Sequence, residues 1–186
     1  MTKLSRRTFA VSAFAGAGLL AGCGNGIGSN GGAAIDARVD QTLNFLYSEY
    51  PTTRGLSDKA VGMLVMPLIT EAGFGFGGGY GRGALRVGGT SVDYYSATKG
   101  SFGLQIGAQQ YAHVLFFMTE GALMDFRRSN GWAAGADVKY VFRDEGENIR
   151  AETTTVTAPV LAVIFGQAGL HVGATLDGVK YTRIIP

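Results

Sequence analysis

Apolar residues recur along this chain with two different periods, and the changes of period divide it into elements. Between residues 35 and 50 they fall at Ile35, Val39, Leu43, Leu46 and Tyr50, a spacing that lines one face of a helix. Pro51 stops the run. The polar face carries Asp36, Arg38, Asp40 and Glu49, and its net negative charge favours packing on a sheet over entering a membrane. Ser57 and Asp58 offer a helix start, but residues 61–66 read as a buried strand that Pro67 ends. Further on, Val92, Tyr94 and Tyr95 mark a strand over 90–98. Phe102, Leu104, Ile106 and Ala108 alternate with glycine and glutamine as a half-buried strand. Residues 114–118 are apolar on both faces and therefore central. Thr119 is expected to cap a short helix over 120–128 with Leu123 and Phe126 turned inward and Gly131 ending it. Strands are expected at 132–142, 153–165, 170–176 and 179–185, the last two joined by the hairpin pair Asp177 and Gly178.

Between these elements every odd position from Gly73 to Gly83 is glycine, with Phe74, Phe76, Tyr80 and Arg82 on even ones. Period two means a strand with one face of side chains and one of bare backbone. Six glycines in an ordered strand cost roughly 3–6 kcal/mol relative to alanine, which the close approach of another layer is expected to offset. Gly77, Gly78 and Gly79 are expected to break the run into a hairpin, since consecutive glycines supply the positive φ of a tight turn. A G-x-G-x-x-G match at Gly73, Gly75 and Gly78 is set aside, because no helix follows it inside a βαβ unit.

The pattern predicts a β-rich α+β domain. About eight to ten antiparallel strands form a strongly bent sheet or barrel-like sandwich, with the helices at 35–50 and 120–128 packed on it. Thirty glycines without a G-X-Y period exclude collagen, and 46% hydrophobic composition is ample for a core.

Residues 1–22 read as a signal peptide. Paired arginines at Arg6 and Arg7 precede an apolar run over 8–21, too short to span a bilayer, and Leu20-Ala21-Gly22-Cys23 follows. The arginines resemble the twin-arginine export signal and the last four residues a lipobox, in which Cys23 is acylated and becomes the new N-terminus. Residues 23–34 are then a lipidated flexible tether, and residues 35–186 the domain. Cys23 is the only cysteine, so no intrachain disulfide forms and the fold stands on packing. The implied location is a periplasm-facing lipoprotein of the cell envelope, on the outer membrane because Gly24 rather than aspartate follows the cysteine.

Charge changes the picture once the leader is removed. The formal +2 includes Lys3, Arg6 and Arg7; without residues 1–22, 13 of the 16 basic residues remain against all 14 acidic ones. A net charge of about −1 gives no electrostatic basis for nucleic-acid binding. The acids of the loop at 143–148 lack calcium-loop spacing and read as a solvated hairpin tip. His113 and His171 are the only histidines, each in a β run without a nucleophile signature, and are expected to be structural. No G-x-S-x-G, H-E-x-x-H or P-loop occurs. No enzyme activity, cofactor or metal is expected.

Four segments in order, 60–67 (AVGMLVMP), 72–85 (AGFGFGGGYGRGAL), 101–109 (SFGLQIGAQ) and 165–170 (FGQAGL), resemble the SYLF lipid-binding domain family over residues 60–184. Its eukaryotic members include actin-patch proteins, and its bacterial members are secreted or lipidated. The resemblance implies binding to membrane phospholipid head groups, with actin bundling in some members. On this reading Phe74, Phe76, Tyr80, Tyr94 and Tyr95 are candidates for apolar lipid contact, and Arg82, Arg86 and Lys99 for phosphate. The other reading is a structural or scaffolding envelope lipoprotein that recruits a protein partner, with the same aromatics filling the core.

Overall fold

The computed structural model describes residues 29–135, 138–140, 158–166, 169–170 and 176–186. The leader with Cys23, the loop at 143–148, His171 and most of the strand expected at 170–176 lie outside these residues.

Helix α1 (Gly31–Glu49) buries Ile35, Val39 and Leu46 against the sheet, with Tyr50 just beyond its end. It begins before the periodic run does, despite two glycines in its first turn. Tertiary contact overrides their poor propensity: Ser29 Oγ accepts from the Gly31 amide at 3.1 Å and donates to the Pro186 carbonyl at 2.6 Å. A second helix, α2 (Thr53–Lys59), lies between Pro51 and the strand, and Ser57 and Asp58 fall near its end rather than at its start. At seven residues it is too short for an apolar period to reveal. It is held by the buried Thr53, whose hydroxyl donates to the Tyr50 carbonyl at 2.6 Å.

Strands β1 (Gly62–Val87) and β2 (Thr90–Phe117) form one long antiparallel hairpin. The turn is Gly88 and Gly89, at φ of 57° and 80°, because a two-residue turn of this hand needs positive φ at both central positions. The turn expected at Gly77–Gly79 is therefore corrected: these residues stay extended, opposite Ser101, Gly100 and Lys99. A straight strand of 26 residues would run about 85 Å, so the hairpin must curl. Register shifts between Met66 and Ile69 and between Phe74 and Phe76 mark irregularities of the kind that bend strands.

The curl brings the two halves of β1 onto each other. A Cβ at Gly81 would run into the Leu68 carbonyl, one at Gly83 into the Val65 carbonyl, and one at Gly79 would stand 2.8 Å from Glu71 Cγ. The glycine face does meet a close layer, and that layer is the first half of the same strand.

The remaining elements extend the sheet from the edge of β2 that β1 leaves open. Strand β7 (Lys180–Ile184) pairs its first half, and β5 (Val160–Gly166) its second. The run expected as one strand at 132–142 is instead two short ones, β3 (Trp132–Ala133) on β7 and β4 (Val138–Tyr140) on β5. Between them the Val138 amide donates to the Gly135 carbonyl at 3.1 Å. The β4–β5 pair is parallel, so the sheet is mixed rather than wholly antiparallel. Strand β6 (Gly169–Leu170) pairs the end of β5, which makes seven strands among the described residues.

Alternation sorts the core into two clusters. Leu64, Met66, Leu85, Tyr95, Leu115 and Phe117 face the inside of the curl, while Val65, Ala84, Val114, Phe116, Leu161 and Val163 face α1. Residues 114–117 are wholly buried because both of their faces are covered, as their unbroken apolar run predicts. Helix α3 (Glu120–Arg128) is capped by Thr119, whose hydroxyl accepts from the Ala122 amide at 3.2 Å. It turns Leu123 and Phe126 inward, and Phe126 gathers Tyr95, Phe117, Trp132 and Tyr181 around it. Ser129, not Gly131, closes it. Both clusters are drawn from Ile35 onward, so residues 24–186 carry the whole described core.

Candidate functional site

The side of α1 that the sheet does not cover carries Arg38, Gln41, Thr42 and Phe45, positions three and four apart that share one helix face. Opposite stand Pro67 and Leu68, at the register shift in β1, and Phe165 at the end of β5. Between them lies a cavity of about 460 Å³, within the range of small-molecule sites. Phe45 and Phe165 both line it and stack at 6.0 Å. A second cavity of about 270 Å³ continues toward the start of α1, lined by Ala34, Thr70, Tyr80 and Arg82. Arg38, Pro67 and Leu68 border both, so the two form one cleft along the helix. Leu68 and Tyr80, 41% and 54% exposed, stand at its lip.

Two of the three acids of α1, Asp36 and Asp40, are turned elsewhere. Asp40 Oδ1 lies 2.7 Å from Arg86 Nη2, and Asp36 accepts from Ser91 Oγ at 2.6 Å and from the Tyr94 hydroxyl at 2.8 Å. Burial raises the Tyr94 pKa, and its bond to the Asp36 carboxylate adds to the rise. Arg38 has no ion pair or hydrogen bond among the described residues. The helix thus has one acidic flank bound to the sheet and one flank with a cation on the cleft.

The candidates chosen from the sequence separate accordingly. Tyr80 and Arg82 line the cleft. Arg86 and Tyr94 clamp α1 to the hairpin. Tyr95 is 2% exposed, with its ring 4.7 Å from that of Phe126. Burial raises its pKa against the opposing effect of Arg183. Lys99 Nζ lies 3.2 Å from Glu71 Oε1. The side chains of Phe74 and Phe76, like Cys23, fall outside the described residues. Arg38 and Phe45 escaped the sequence reading. Their spacing was visible, but a helix face running from arginine to phenylalanine reads as an ordinary half-exposed one.

Inside the curl is a second polar group. Glu71 accepts from the Tyr111 hydroxyl at 2.6 Å and from Gln109 Nε2 at 2.7 Å. Burial works to raise its pKa, but these bonds and Lys99 together hold it below the ordinary value. His113 is fully buried; its Nε2 shares a 2.8 Å hydrogen bond with the Tyr181 hydroxyl, and its Nδ1 has no partner. Burial pushes the imidazole down to about 3, so it is neutral. Among the described residues no group of three metal-ligating side chains occurs.

A family model, Ysc84, described as Las17-binding protein actin regulator, matches residues 98–183. The matched segment holds most of β2 and the chain after it as far as Arg183 in β7, while α1 and the glycine-alternating strand precede it. No curated protein matches the chain.

Proposed function

Through residues 98–183 the chain belongs to the Ysc84 (SYLF) domain family, and on that premise we propose that it is a non-catalytic lipid-binding module of the bacterial cell envelope. The observation that carries the reading is the cleft beside α1, which is apolar around Phe45, Leu68 and Phe165 and cationic at Arg38 and Arg82. Apolar walls for an acyl chain and a guanidinium for a phosphate are the two things a phospholipid needs. With a net charge near zero after the leader, attraction to anionic membranes comes from this local cluster and not from bulk charge.

Flotation of residues 24–186 with vesicles containing phosphatidylglycerol tests it. The protein is expected to float, and Arg38→Glu is expected to reduce the floated fraction several-fold without lowering the denaturation midpoint. Equal flotation of the variant removes the cleft as the site.

The anchor is part of the proposal: Cys23, acylated after export, holds the domain on the periplasmic side of the outer membrane. Cys23→Ser is then expected to release the chain from membranes under a high-salt wash. A processed variant still retained there is held by something other than the acyl group. The second reading, a scaffold recruiting a protein partner, is favoured by the family's description as Las17-binding, and the exposed lip at Leu68 and Tyr80 is where such a partner would touch.

A further inference from the structure

The two parts of the cleft differ in chemistry, and the difference has a direction. The part toward the start of α1 is bordered by Arg38, Arg82, Thr70 and the Tyr80 ring. Only the part toward its end has the rings of Phe45 and Phe165, set among Gln41, Thr42, Gln110 and Tyr111. Arg38 stands at the junction, with no ion pair among the described residues; Asp36 and Asp40 are on the flank bound by Arg86. A part with two cations joined to a part with an aromatic pair complements an amphiphile with one anionic head and one tail. About 460 Å³ suits one long acyl chain; two tails side by side would need about twice that volume.

Resting on the lipid-binding reading, we infer that the cleft binds a monoacyl phospholipid, with its phosphate between Arg38 and Arg82 and its single chain running under α1 to Phe45 and Phe165. The head then sits at the end of α1 from which the chain leads back to Cys23. The charged hydrogen bonds from guanidinium to phosphate fix the head, and burial of the tail against aromatic and aliphatic walls supplies most of the affinity.

Calorimetric titration of residues 24–186 with 1-palmitoyl-lysophosphatidylglycerol below its micelle concentration tests this, with 1-palmitoylglycerol and glycerol 3-phosphate as tail-only and head-only probes. The lysophospholipid is expected to bind at least about tenfold more tightly than either half. Arg38→Gln is expected to weaken it about tenfold while changing 1-palmitoylglycerol binding less than about twofold, and Leu68→Ser to weaken both. Identical lysophospholipid affinity in Arg38→Gln overturns the assignment of the head. Protein that floats with diacyl vesicles but does not bind the lysophospholipid overturns the single-chain assignment and leaves the lipid-binding reading standing. Failure with both overturns the two together.

Discussion

Gly83→Val is expected to lower the stability of the domain by about 3 kcal/mol or more, at the upper end of what overpacking costs. The reason is where the clash falls. A Cβ at position 83 meets the carbonyl of Val65, and Met66 Sδ at 2.6 Å. The thioether can swing aside, but the carbonyl belongs to a hydrogen-bonded strand whose residues on either side of it are buried in the two cores. The two halves of β1 must separate, and with them the contact that Gly79, Gly81 and Gly83 make possible. Gly100→Ala is the control, since a Cβ there meets nothing within 4 Å and alanine restricts the unfolded chain more than glycine. A denaturant midpoint that falls steeply for Gly83→Val and stays or rises for Gly100→Ala is the expected pair; equal, small shifts would mean that the halves of β1 do not touch.

Acid should weaken the fold well above the range where carboxylates titrate, and His113 is the cause. In the unfolded chain it takes up a proton near 6.5; in the folded chain burial holds its pKa at about 3. Between those values the unfolded state binds more protons, so stability falls as pH falls through that window and is constant with respect to this group above it. From pH 7 to pH 5 the loss from His113 is roughly 2 kcal/mol. Glu71, whose folded pKa is lowered, contributes stability that is lost only as pH falls below 4.5, so the two effects are separable. Denaturation midpoints at pH 7 and pH 5 should differ markedly in the native chain and much less in His113→Phe, which also loses the bond to Tyr181 and is less stable at both. A slope unchanged in the variant would place the titration elsewhere.

The architecture was legible where one residue type carried one physical demand. Glycine alternation announced a bare face needing a close layer, and Gly79, Gly81 and Gly83 meet one. The run at 114–117 announced a strand covered on both sides, and Thr119 announced a cap. Legibility ended where several glycines competed for one turn. Gly88 and Gly89 won it because they stand where the register of the arms closes, and the arms' register is a property of pairings up to 55 residues apart, Gly62 with Phe117 among them. Nor does the sequence say that β4 runs parallel to β5, which depends on how the chain returns after α3.

The site was legible in part. Tyr80 and Arg82, chosen from their places on the side-chain face of the glycine strand, do border the cleft. Arg86 was chosen on the same ground and is taken up by Asp36 and Asp40. The net charge of α1 concealed that its polar surface has two unlike flanks. Only the position of Arg86 across the hairpin assigns Asp36 and Asp40 to one flank and leaves Arg38 on the other.

The central claim is that the space between α1 and the sheet holds the lipid chain, and photocrosslinking tests it most directly. A phospholipid carrying a diazirine midway along its acyl chain, incorporated in vesicles with residues 24–186, is predicted to label the segments around Gln41–Phe45 and Phe165–Gly166. Labelling confined to other surfaces, with these segments unmodified, would contradict the account.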